Sequence, residues 1–259
     1  MMTIELIGIS GSGKSTLAEH LRARLMERGI EAVDPIEATR RALVNSSGLV
    51  LRMILRIVPP VWGRRFVRSR LLWRAKAMRD AREKSAIECG DLFVFVDEML
   101  EKQNVSTGDT QKIKQWFIEL ATFFWLHRAH LAGEVVVWEE GFALRALTLF
   151  QYGADKIEAQ DITLYANCIP KPKAVVYLKV SPAIAYERVL KRKKLPNRMK
   201  GLSEQEMSEV LSTASKVAYT TCTALKEHNV PVYTIDCDKG LVAVLEQIQK
   251  ICLNISICV

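Results

Sequence analysis

Near the start of the chain, Gly8-Ile9-Ser10-Gly11-Ser12-Gly13-Lys14-Ser15 has the spacing G-x-x-x-x-G-K-[ST], and Thr16 follows. Residues of these types can cradle phosphate. Glycines at 8, 11 and 13 let the backbone curl with its N–H groups inward, and a helix beginning at the loop adds partial positive charge. Lys14 is expected to reach the β- and γ-phosphates, and the Ser15 hydroxyl to ligate Mg²⁺. The pattern predicts binding of a nucleoside triphosphate, with Gly8, Ser10, Gly11, Ser12, Gly13, Lys14, Ser15 and Thr16 as its contacts.

Acidic residues at three sites could serve the same chemistry. Asp34 precedes Pro35, which keeps it out of the helical region. At the carboxyl end of a strand it can face Mg²⁺ or an acceptor hydroxyl; as a turn or cap residue it would do neither. Glu139 and Glu140 follow the apolar run Val135-Val136-Val137-Trp138. A carboxylate at such a strand tip can hold Mg²⁺ through water. Glu139 is the first choice for this and Glu140 the second, one of them serving as a helix N-terminal acid. Asp97-Glu98 ends a third apolar run, Leu92–Val96, which could be a strand of the same kind or a buried helix segment. The helix reading is favoured.

These groups need elements to position them. Thr3–Ile7 is β-prone, and Leu17, Leu21 and Leu25 recur at helical spacing until Gly29. Ile30–Val33 reads as a short second strand. Residues 36–133 look mainly helical, an excursion expected to sit over the ligand crevice as an insertion or subdomain. In it Trp116, Leu120, Phe123, Phe124 and His127 line one helix face. A helical region from 145 to 168 precedes a fourth strand, Ala174–Val180. Ser181-Pro182 then reads as helix N-cap and first-turn proline. The helix carries Arg188, Lys191, Arg192, Lys193 and Lys194, with Arg198 beyond Pro196-Asn197. Val230–Asp236 gives a fifth strand and Leu241–Leu253 a closing helix.

In this order the chain resembles the thymidylate kinase-like branch of the P-loop nucleoside and nucleotide kinases. Beyond the loop, the resemblance rests on Phe124–His130 with Gly133 and the 135–138 strand, on Tyr177–Pro182 with Arg188 and Arg192, and on Asp34-Pro35. It implies an α/β three-layer fold with a five-stranded parallel sheet in order 2-3-1-4-5. It also implies an acceptor site under the helical region between strands two and three. A mobile lid over 181–200 would have arginines that stabilise the transferring phosphoryl group. Arg188 and Arg192 are the lid arginines it implies, with Lys14 and Asp34 beside them in catalysis, and Arg128 and Arg198 as acceptor contacts. The donor implied is ATP with Mg²⁺ held by Ser15 and Glu139; the acceptor is a nucleoside or nucleoside monophosphate. The family has an acid followed by arginine after its acidic strand. This chain has Glu139-Glu140, so the arginine's task is filled elsewhere or lost.

The composition fits one soluble domain: 259 residues, 49% hydrophobic and 25% charged. No apolar run approaches the ~18 residues of a spanning helix. Six cysteines lack metal-site spacing, and with a strand beginning at once they suggest a reduced cytoplasmic setting. An Asn-Lys-x-Asp motif and an ABC-type signature are both missing, which disfavours switch and motor classes. The net charge of +8 is concentrated between Arg52 and Lys84, where eleven Lys/Arg face two acids, Asp80 and Glu83. Apolar residues interleave with those arginines, as on a membrane-bound or nucleic-acid-bound surface, or on a solvated helix packed by its other face. The partners expected are therefore a small acceptor, an anionic membrane surface or nucleic acid at 52–84, and a second copy in a homodimer.

Overall fold

The computed structural model describes residues 1–46, 73, 75–150, 158–192, 195–196 and 199–257. Arg198, Lys193, Lys194, Arg74 and residues 47–72 of the basic stretch lie outside the described residues.

The described strands are β1 (Met2–Ile7), β2 (Ala32–Val33), β3 (Val135–Trp138), β4 (Ala174–Lys179) and β5 (Val232–Asp236). They form one sheet in the order β2-β3-β1-β4-β5, and every pair is parallel. This is the order implied by the resemblance. Parallel strands are covered on both faces, which explains why β3 and β4 are apolar runs, and why even Thr3 and Glu5, which make β1 alternate, are buried. In β1 everything from Thr3 to Ile7 is buried, as are all four residues of β3.

The helices between them are α1 (Lys14–Met26), α2 (Pro35–Ser46), α3 (Lys76–Glu88), α4 (Gly90–Lys102), α5 (Thr107–His130), α6 (Phe142–Leu149), α7 (Ala159–Cys168), α8 (Pro182–Leu190), α9 (Glu204–Glu227) and α10 (Leu241–Ile257). On one face of the sheet α1 packs with α10; α6 and α9 pack together on the other. Helices α3, α4 and α5 stack on one another, and α2 packs on α5 beside β3. Residues 91–98 lie in α4, so this run is a helix and not a metal-bearing strand. Its buried residues Leu92, Phe95, Val96, Met99 and Leu100 have helical spacing.

Capping sets several boundaries. The Ser106 hydroxyl accepts the Asp109 N–H at 3.3 Å to start α5. Ser181 accepts the Ile184 N–H at 3.4 Å with Pro182 in the first turn of α8. Ser203 and Glu206 form a reciprocal capping box at the start of α9. Helix α8 ends at Leu190, so Arg192 lies in the turn beyond it rather than on the helix. No helix among the described residues is long and apolar enough to cross a membrane.

Candidate active site

The site lies at the carboxyl edge of the sheet, where β1 runs into the 8–15 loop and then α1. Gly11 has φ +89°, and a Cβ there would come within 2.5 Å of the Ala185 carbonyl oxygen. Helix α8, which carries Arg188, is thus docked directly on the loop. A Cβ on Gly8 would meet the Leu178 carbonyl oxygen at 2.9 Å, so β4 closes the loop from the same side. Helix α1 opens at Gly13 with no side-chain cap and no acid in its first turn, leaving its N-terminal partial charge for an incoming anion.

The loop residues are arranged to receive phosphate. Lys14 is half-buried, and its Nζ donates to the carbonyl oxygens of Gly8 at 2.7 Å and Ile9 at 3.1 Å. This folds the ammonium over the curl. The Ser12 hydroxyl is buried with no hydrogen-bond partner, an orphan that a phosphate oxygen would satisfy. Ser15 and Thr16 are exposed at the start of α1. The donor set, an ammonium, an orphaned buried hydroxyl and a helix N-terminus, is of a kind that suits a nucleotide phosphate.

Glu139 leaves the tip of β3, the strand next to β1. Its carboxylate forms an ion pair with Arg22 of α1, Oε1 to Nη1, at 3.8 Å. Glu140 is more exposed and pairs with Arg145 of α6 at 3.0 Å; the same guanidinium lies 5.2 Å from the ring centre of Trp116. Asp34 follows β2, two strands from β1, or about 10 Å at ordinary strand spacing. Its Oδ1 accepts the N–H groups of Ile36 at 2.8 Å and Glu37 at 2.9 Å, capping α2. Asp97, on α4, is paired with Lys114 of α5 at 2.9 Å.

The proposed basic contacts are dispersed. Arg188 donates from Nη2 to the Cys237 carbonyl at 2.9 Å, tying α8 to the end of β5. Arg192 is exposed. Arg128 is exposed on α5, its guanidinium 5.0 Å from the centre of the Trp125 ring, which Lys84 of α3 also approaches at 5.5 Å. It is therefore held toward α3. On another side of α5, fully buried His127 meets Thr39 of α2, Nε2 to Oγ1 at 2.8 Å. Burial pushes its pKa down to about 3.

A residue that sequence reasoning passed over sits beneath the loop. Glu5 of β1 is only 2% exposed, and its Oε2 accepts the Ala143 N–H at 2.6 Å, in the first turn of α6. Burial raises its pKa to about 7 against the lowering effect of its backbone hydrogen bonds. Gly141 is what lets it fit: a Cβ there would lie 2.3 Å from the Glu5 carboxyl carbon. Tyr165 of α7, fully buried, donates to the Phe142 carbonyl at 2.6 Å and braces the same turn.

Two cavities have linings that include no residue of the loop. One, of about 340 Å³, is lined by Arg40, Arg41, Val44, Asn45 and Glu134. Glu134 precedes β3, so this cleft is at the amino edge of the sheet, and Glu31, Glu37 and Glu134 already pair with its arginines. The other, of about 280 Å³, lies among α3, α4 and α5, with Phe93, Val96, Phe117 and Ile118 as apolar walls and Arg82, Lys114 and Asp97 among its polar lining.

No protein-family model matches the chain, and no curated protein matches it in sequence. Solved structures similar to it include a deoxyadenosine kinase from M. mycoides with bound dATP, at 17% identity and TM-score 0.45 over 98% of this chain and 100% of that one. The deoxyadenosine kinase from M. mycoides with bound dCTP gives 14% and 0.43, over 98% and 99%. A shikimate kinase from Bacteroides thetaiotaomicron gives 13% and 0.42, over 98% of each chain.

The signal for Glu5 was present as a lone carboxylate inside an otherwise apolar strand. What the sequence does not carry is its partner: Ala143 lies 138 residues away. Arg22 escaped for the same reason, its partner Glu139 lying far along the chain, whereas Arg145 and Glu140 are five residues apart and only the fold shows that they pair.

Proposed function

We propose that this protein is a Mg²⁺·ATP-dependent phosphotransferase that moves the γ-phosphoryl group to a small acceptor, a nucleoside or nucleoside monophosphate. The observation that carries the reading is the glycine loop at the carboxyl edge of the central strand, with Lys14 folded over its carbonyls and Ser12 orphaned inside it. In such a reaction the protein contributes positioning and charge neutralisation more than covalent chemistry. Lys14 neutralises phosphate charge. Ser15 and Glu139 hold the cation, which when bound screens the phosphate oxygens and draws charge onto the leaving group. Asp34 orients the acceptor with the carboxylate oxygen that does not cap α2. Arg188 and Arg192 form the lid, Arg188 by exchanging its Cys237 contact for phosphate. Arg128 and Arg198 contact the acceptor. Arg145 and Arg22, already beside the two glutamates, are the residues able to fill the missing acid–arginine role.

The apolar cavity among α3, α4 and α5 favours a second reading of the acceptor alone. Its aromatic and aliphatic walls with Arg82 and Lys114 suit a non-nucleotide acceptor with an apolar tail and an anionic head, such as a lipid-linked alcohol phosphate. The basic segment 52–84 would then hold the protein at an anionic membrane surface. Following ADP release from ATP over nucleosides, nucleotides, sugars and lipid-linked alcohols distinguishes the readings. Release that is equally fast with no acceptor would instead mark an ATPase or switch.

A further inference from the structure

We infer that His127 and Trp138 hold a buried water molecule between them, and that this water completes a hydrogen-bonded chain from the start of α2 to the tip of β3. The site itself stands apart from the phosphotransferase reading; only its effect on rate rests on that reading.

The chain can be followed proton by proton. Thr39 of α2 is buried, and its hydroxyl oxygen lies 2.7 Å from the Pro35 carbonyl oxygen and 2.8 Å from His127 Nε2. A carbonyl oxygen can only accept, so the one hydroxyl proton goes to Pro35. The Thr39 oxygen must then accept from His127, and Nε2 is the nitrogen that carries a proton. Burial holds the imidazole pKa down to about 3, so the ring is neutral and its second nitrogen bears no proton. Nδ1 is therefore an acceptor, buried and without a partner.

The matching donor is next to it. The Trp138 ring centre lies 5.5 Å from that of His127, and its Nε1–H is also buried and unpartnered. An indole N–H can only donate. A lone acceptor and a lone donor on neighbouring rings each cost free energy if left unpaired. One water can donate to the first and accept from the second. Two bonds of ~2.9 Å to its oxygen set the nitrogens about 5 Å apart, of the order of the ring separation. A bare anion would satisfy only the indole, and a cation only the imidazole. The rest of the surroundings is aromatic: Phe123 stacks on His127 at 6.4 Å, and Trp73 lies against Phe123 at 5.6 Å.

The ends of the chain are the two acids proposed for the reaction. Helix α2 follows Asp34, whose carboxylate caps it, and Trp138 immediately precedes Glu139. Side chains alternate across a strand, so Trp138 meets α5 on one face while Glu139 meets Arg22 of α1 on the other. The water thus ties the helix led by the acid proposed for the acceptor to the strand tip that bears the acid proposed for the cation. Thr39 and His127 are positioning residues in this arrangement.

Magnetic resonance on the full chain, isotope-labelled at the histidine and tryptophan ring nitrogens, tests the site without nucleotide. At neutral pH His127 should show a protonated Nε2 and an unprotonated Nδ1, shifted as for a nitrogen that accepts a hydrogen bond. The Trp138 N–H should give a cross-peak to a bound water. Thr39→Val removes the acceptor for Nε2–H and lets that proton move to Nδ1. The Trp138 N–H resonance should then shift, although the Thr39 and Trp138 side chains share no hydrogen bond. With Mg·ATP and a working acceptor, Thr39→Val should lower kcat about tenfold, with KM for ATP little changed. Thr39→Ser, which keeps the hydroxyl, should restore both the resonance and the rate. A proton on Nδ1 of the wild type, or a Trp138 N–H with no water contact, overturns the inference even if Thr39→Val does not fold. A Trp138 resonance indifferent to Thr39→Val overturns the chain, and an unchanged kcat in that variant overturns its positioning role. Absence of acceptor-dependent turnover in the wild type would instead refute the phosphotransferase reading, with the resonance results still deciding the site.

Discussion

Gly11 and Ala185 touch backbone to backbone: a Cβ at Gly11 would reach within 2.5 Å of the Ala185 carbonyl oxygen. The 8–15 loop and the helix that carries Arg188 are thus in direct backbone contact. Gly11→Ala meets two obstacles, the clash and a positive φ that costs a non-glycine residue about 1–2 kcal/mol. Titration with a fluorescent ATP analogue should show affinity reduced about tenfold or more, with wild-type circular dichroism.

The two acidic runs make opposite predictions. Glu139→Gln should weaken the Mg²⁺ dependence of turnover strongly, because Glu139 stands at the tip of the strand next to β1. Asp97→Asn removes only a half-exposed helix–helix ion pair with Lys114, within about 0.5 kcal/mol in urea unfolding and with little effect on turnover. Magnesium titrations of kcat in the two variants decide the ranking.

How much of this was legible in the sequence depends on the range of the interaction. The phosphate loop is local, and its strand and helix flank it, so Gly8 to Ser15 could be placed from spacing alone. The run at 91–98 could not be typed by periodicity alone, being too short to tell strand from buried helix; the helix favoured for it is the one the structure shows. Arg128 shows the limit: its neighbourhood identifies a helix, but only packing shows that its side chain turns to Trp125 and Lys84. Asp34 shows another. Proline after it fixed an extended backbone, yet the same backbone also makes it the cap of α2. Glu5 and Ala143 meet only because β1 and β3 are neighbours in the sheet, which no local pattern encodes.

The two arginines proposed for a lid should separate in their effects. Arg188→Ala loses the hydrogen bond to the Cys237 carbonyl, so stability should fall by about 1 kcal/mol along with kcat. Arg192 is exposed in the turn after α8, so Arg192→Ala should lower kcat with stability unchanged. In both, kcat should fall by more than KM for ATP rises, as for contacts that strengthen in the transition state.

Glu5 and His127 impose opposite pH dependences on stability. His127, held down to about 3 by burial, stays neutral while the unfolded chain takes up its proton below about 6.5. Its contribution is complete above that pH and is lost as pH falls toward 3. Glu5, raised from 4.5 to about 7, contributes fully below 4.5, and that contribution is lost as pH rises through 7. Between 4.5 and 6.5 the two slopes cancel. Urea unfolding of Glu5→Gln should uncover the His127 slope in that window, stability rising with pH by about 1.4 kcal/mol per unit, where the wild type is flatter.

The central claim is that the loop at 8–15 transfers phosphoryl to an acceptor, and ADP release from Mg·ATP with and without acceptor tests it most directly in wild type and Lys14→Ala. The account predicts that a nucleoside, a nucleoside monophosphate or a lipid-linked alcohol raises wild-type release well above the acceptor-free rate. Lys14→Ala should lose that release by about 100-fold or more while keeping its fold. Release that ignores every acceptor, or wild-type turnover in Lys14→Ala, would contradict it.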